Sequence, residues 1–85
     1  VKVLLVDDDT LVRKGLAQLL MSCVEGAEVS EAADATEALS MLEHDGHEVV
    51  VADIRLPGRD GLELLKEIRS AHPDVPVIML TGYDD

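Results

Sequence analysis

Apolar residues along this chain switch between two periods. Val3-Leu4-Leu5-Val6 and Val49-Val50-Val51-Ala52 are unbroken aliphatic runs of strand length. Each runs straight into acid, Asp7-Asp8-Asp9 after the first and Asp53 after the second. Such runs predict strands buried on both faces, as in a parallel sheet. After the first run the spacing turns helical. Val12, Leu16, Leu19, Leu20 and Cys23 recur at three- and four-residue steps, predicting a helix over 10–23 with this stripe inward. Asp9 or Thr10 is placed to cap it, and Gly26 marks its exit. Gly15 within it costs about 1 kcal/mol against Ala and is read as a point of close packing on the sheet.

The alternation continues to the end of the chain. Residues 27–32 alternate weakly and predict a strand. Asp34-Ala35-Thr36-Glu37 opens a second helix with a capping-box pattern in which Asp replaces Ser or Thr. Ala35, Ala38, Leu39 and Leu42 are its inward candidates. A third strand is expected over 48–53. The Pro- and Gly-marked stretch Leu56-Pro57-Gly58-Arg59-Asp60-Gly61 then reads as a loop. Asp60 and Glu63 repeat the capping pattern at a third helix over 61–71, with Leu62, Leu65 and Ile68 as its stripe. His72-Pro73-Asp74 stops it, and 75–80 is a fourth strand with Pro76 near its start.

Strands and helices in strict alternation with short connections imply an α/β fold, a doubly wound parallel sheet with right-handed crossovers. Two strand orders are common in such sheets. In the flavodoxin-like order 2-1-3-4-5, strands one and three are neighbours at the switch point, where ligands bind beyond the carboxyl ends. That order brings Asp7, Asp8 and Asp9 beside Asp53. Two carboxylates about 5 Å apart repel by roughly 3 kcal/mol at an effective dielectric near 20. Such a cluster therefore retains a proton or binds a cation, and all-oxygen ligands favour a hard divalent ion such as Mg2+. Asp9 is better explained as a helix cap than as a third ligand.

Composition narrows the function classes. At 85 residues this is one small domain, and its core is aliphatic: 47% of residues are apolar, but there is no Phe or Trp and only one Tyr. A net charge of −11 opposes direct contact of this segment with nucleic acid. No apolar run reaches membrane-spanning length. The lone Cys23 cannot form an internal disulfide; it fits a reducing cytoplasm and is read as a small buried residue. His44 and His47 flank a Gly turn away from the acidic cluster, so a metal pair is not indicated there. His72 is read as a helix-end residue.

With these elements in place, the chain resembles the receiver domain of two-component response regulators. Three blocks carry the likeness: Leu5-Val6-Asp7-Asp8-Asp9; the loop from Asp53 through Pro57-Gly58 to Asp60-Gly61; and Val77-Ile78-Met79-Leu80-Thr81-Gly82. The stretch 80–83 is similar to receivers of the nitrogen-regulator type of transcriptional activator. The resemblance implies that Asp53 is the phosphoacceptor, receiving a phosphoryl group from a sensor histidine kinase. It implies Asp7 and Asp8 as Mg2+ ligands, completed by Asp53 and the backbone carbonyl of Arg55. It implies Thr81 as the hydroxyl that binds the phosphoryl group and couples it to a change of shape. Arg55 and Tyr83 match positions that tune acyl-phosphate lifetime. Such a module catalyses at most its own phosphorylation and dephosphorylation.

The resemblance also marks what residues 1–85 lack as a receiver: a fourth helix, a fifth strand ending in a lysine, and a fifth helix. Lys2, Lys14 and Lys66 do not match that lysine. One helix must then cover a whole sheet face, leaving apolar surface there and along 75–80. The reading is of a truncated receiver, completed by residues outside this chain or by oligomerisation, with any DNA-binding output domain elsewhere. The rival reading is a binding or oligomerisation module that is never phosphorylated. A small Mg2+-dependent phosphatase is more distant, since it would want an acid two positions after Asp53, where Arg55 stands.

Overall fold

A computed structural model describes residues 1–53 and 61–80. Its elements run β1 (Lys2–Val6), α1 (Thr10–Cys23), β2 (Glu28–Ala32), α2 (Ala35–His44), β3 (Val49–Asp53), α3 (Gly61–Ala71) and β4 (Val77–Leu80). The four strands form one parallel sheet in the order β2-β1-β3-β4. This is the doubly wound α/β arrangement expected from the alternation of periods.

The caps act as the sequence indicates. Asp9 accepts from the amides of Leu11 and Val12 at the start of α1. Asp34 accepts from the Glu37 amide at 2.8 Å, while Glu37 reaches back to the amide of Ala33 at 2.7 Å. These bonds satisfy donors that a helix start would otherwise leave open. Gly26 has φ 77°, a left-handed conformation that turns the chain from α1 into β2. β4 begins two residues later than the expected strand. Pro76 accepts from the Val50 amide through its carbonyl but has no N–H of its own, and the Val75 amide is spent on the His72 carbonyl.

Alternate residues of the sheet face two different environments. Leu4, Val6, Ala32, Val50 and Ala52 meet Ala35, Ala38 and Leu42 of α2 and Leu64 and Ile68 of α3 in the main core. Partly buried Leu39, Met41, Val75, Val77 and Met79 close its margins. On the opposite face α1 packs over β1 and β2, burying Val3, Leu5 and Ala17. Val49 and Val51 are half-buried there, and Ile78 on the edge strand β4 is 53% exposed. Among the described residues, α1 is the helix that packs on this face, and it does not extend over β4.

That arrangement corrects the expected stripe of α1. Leu16 and Leu20 are half-buried, but Val12, Leu19 and Cys23 are exposed. Val12 and Leu19, seven residues apart, share one flank of α1, and Val12 borders the cleft that Asp53 and Leu80 also line. Gly15 is no contact point either, because a Cβ built there meets nothing within 4 Å. In α3 the buried pair is Leu64 and Ile68, with Leu65 half-buried and Leu62 exposed. Steps of three residues drift around a helix, so Leu62 lies about 120° from Ile68, whereas Leu64 lies within about 40°. His47 is buried, and neither ring nitrogen has a hydrogen-bond partner among the described residues. His44 is exposed at the end of α2, its Nδ1 2.8 Å from the Ser40 carbonyl.

Candidate metal centre

The site is built by strand register. Val6 of β1 pairs with Ala52 of β3, so the next residues, Asp7 and Asp53, leave the sheet side by side. The Asp7 amide still donates to the Ala32 carbonyl of β2 at 3.0 Å, which holds Asp7 in line with its strand. Beyond it the chain turns into α1. Ligating oxygens of Asp7, Asp8 and Asp53 all lie within 4.8 Å of one another. Asp7 is buried, Asp53 half-buried and Asp8 exposed, so the cluster opens to solvent on one side. With Asp9, Val12, Leu16 and Leu80 these residues line a cleft of about 520 Å³.

Asp9 serves as the cap of α1 and is not among the three acids whose oxygens converge. Its Oδ1 accepts two amides of α1, and its amide donates to Asp7 Oδ1 at 2.9 Å. Burial pushes the Asp7 carboxyl above the usual carboxylate range. The hydrogen bond from the Asp9 amide opposes that rise, and the charges of Asp53, Asp8 and Asp9 reinforce it. An acid strained in this way gains from a cation. Three carboxylates from two strand ends, one of them buried, form a donor set that suits a hard divalent ion.

One part of the site's surroundings was not anticipated from the sequence. Arg13 of α1 donates from Nη1 to the Asp7 carbonyl at 2.7 Å and from Nε to Glu31 of β2 at 2.9 Å. Lys14 reaches the same carboxylate at 3.3 Å. Burial alone would raise the Glu31 carboxyl, but the hydrogen bonds and charges of Arg13 and Lys14 hold it below its ordinary value. The available signal was Glu31 itself, an acid on the strand face it shares with Val29 that needs a cation partner. Two expected site residues, Arg55 and Thr81, lie outside the described residues, as do Asp60 and Tyr83. β4 is described through Leu80, which pairs with Asp53.

Comparison with known proteins agrees with this architecture. The response regulator receiver domain family matches residues 3–85. The C4-dicarboxylate transport transcriptional regulatory protein DctD of Rhizobium meliloti is 46% identical over 83 residues, covering 98% of this chain and 18% of DctD. Sensor kinase CckA of Brucella abortus is likewise 46% identical over 83 residues, covering 95% of this chain but 9% of the kinase. The chain thus spans a small part of these relatives. Among solved structures, response regulator TrrA of Thermotoga maritima, crystallised with Mg2+–BeF, superposes with a TM-score of 0.89 at 36% identity. That likeness covers 98% of this chain and 70% of TrrA. A CheY-like receiver domain from Methanospirillum hungatei gives 0.89 at 38% identity, over 99% of this chain and 66% of that one. With a matching family over nearly its whole length and the same sheet order, this chain belongs to the response regulator receiver domains of two-component signalling.

Proposed function

We propose that this chain accepts a phosphoryl group on Asp53 from a sensor histidine kinase, with Mg2+ held by Asp7, Asp8, Asp53 and the Arg55 carbonyl. The observation that carries the reading is the convergence of the Asp7, Asp8 and Asp53 carboxylates at the ends of two adjacent strands. In the transfer, an Asp53 carboxylate oxygen attacks phosphorus in line. The new O–P bond forms as the P–N bond to the donor imidazole breaks, and the electron pair leaves on that nitrogen. A bound Mg2+ supplies the positive charge that lets an anionic carboxylate meet an anionic phosphoryl group.

Asp7 and Asp8 hold that charge in place, and the half-buried setting of Asp53 limits competition by water. Thr81, next in sequence after Leu80, donates its hydroxyl to a phosphoryl oxygen. The added charge on Asp53, close to two units, then biases the loops around it. The crystallisation of TrrA with Mg2+–BeF supports the same ligand chemistry here. The setting proposed for this transfer is cytoplasmic. Beryllofluoride offers a test, since it mimics a phosphoryl group on a carboxylate. Fluorine NMR should show a bound signal that needs both Mg2+ and Asp53. A signal surviving in Asp53→Asn, or none in wild type, contradicts the proposal.

A second reading draws on the open side of the sheet. Ile78 on the edge strand β4 is 53% exposed, and Leu11, Val12 and Leu19 of α1 are exposed as well. Such exposed apolar residues suit a binding or oligomerisation module that acts without being phosphorylated.

A further inference from the structure

We propose that Arg13 is a positioning residue for the cation site, fixing the turn after β1 through the Asp7 carbonyl while Glu31 neutralises its charge. The inference rests on the reading of Asp7, Asp8 and Asp53 as cation ligands. The Arg13 side chain is only 12% exposed and uses its fork in two directions, Nη1 to the Asp7 carbonyl and Nε to Glu31. One residue thereby ties α1, β2 and the start of the ligand-bearing turn into a single unit. A guanidinium can do this because its donors are held in a rigid plane; a single ammonium cannot span both acceptors in the same way.

The location creates an electrostatic problem that Glu31 solves. A bare guanidinium beside three carboxylates would repel a divalent cation. Glu31 binds Arg13 at 2.9 Å and Lys14 at 3.3 Å, so the two cations of α1 face a carboxylate outside the ligand set. The geometry of the turn is thus held by an arginine whose charge is largely cancelled. Backbone anchoring of this kind matters because Asp7 and Asp8 are consecutive. A small rotation of their shared peptide would separate their carboxylates.

The test is Mg2+ affinity, by calorimetric titration of the intact protein carrying Arg13→Met, Arg13→Lys, Glu31→Gln or Asp7→Asn. By charge alone, removing Arg13 should tighten Mg2+ binding. Positioning predicts the opposite sign: a loss of about tenfold in Arg13→Met. The loss should persist in Arg13→Lys, and in roughly half-molar salt relative to wild type. Glu31→Gln should weaken binding a few-fold at low salt and recover at high salt, where charge is screened. Wild-type affinity, or tighter binding, in both Arg13 variants overturns the proposal while Asp7→Asn still confirms the site. Failure of wild type to bind Mg2+, or wild-type binding by Asp7→Asn, defeats the site reading and this inference with it.

Discussion

Asp7 and Asp53 leave neighbouring parallel strands at the same level, because Val6 is paired with Ala52. Neither acid could be moved along its strand without breaking that coincidence. The sheet thus concentrates negative charge at one edge, and Asp7 is buried there with its carboxyl raised, first by burial and then by the neighbouring acids.

Asp7→Asn should therefore stabilise the metal-free protein at neutral pH while abolishing its response to Mg2+. The folded-state carboxyl titrates above its unfolded value. Between those two values the folded chain holds more protons, so stability falls as pH rises through that window. Above it the penalty is complete. Urea unfolding in EDTA should give Asp7→Asn the higher midpoint at pH 7, with the advantage shrinking on acidification. A lower midpoint at pH 7 would contradict the assignment.

Glu31 has the opposite sign. Its folded-state carboxyl titrates below its unfolded value, so its contribution is present above the unfolded value and is lost as pH falls through the folded one. Glu31→Gln should cost about 1 kcal/mol at neutral pH, as for a partly exposed ion pair with geometrically good partners, and little at acid pH. Unfolding midpoints of the variant and wild type should converge as the pH is lowered.

Gly15→Ala should raise stability by about 1 kcal/mol. The position is exposed inside α1, and a Cβ there meets nothing within 4 Å. Thermal unfolding measures it directly, and a destabilised variant would show that the backbone at this position needs glycine.

His47→Leu should stabilise the protein by about 1 kcal/mol. The ring is buried and its two nitrogens have no partner among the described residues, so an apolar side chain of similar volume removes a desolvation cost. Chemical denaturation gives the comparison, and a loss of stability would reveal a partner for the ring.

Much of this was legible from the sequence because strand, helix and cap signals each have a local cause. Asp9 and Asp34 cap the helices they precede, and α1 and α3 span 10–23 and 61–71 as the periodicity indicates. The acids at the ends of β1 and β3 were readable once the strand order was assumed. Which residues of α1 are buried was not, because that depends on where one helix lies across a four-stranded face. Leu19 and Cys23 satisfy the period yet face outward. Leu64 was hidden among three leucines of nearly equal claim. The Arg13–Glu31 bridge joins residues 18 apart in sequence. Their contact follows from packing of α1 on β2, which no local pattern encodes.

Asp53 is the residue proposed to be modified. Intact mass spectrometry after incubation with Mg2+ and acetyl phosphate tests it most directly. Wild type should gain one phosphoryl group, Asp53→Asn none, and wild type none in EDTA. Wild type that stays unmodified, or an Asp53→Asn variant that gains the same mass, would contradict it.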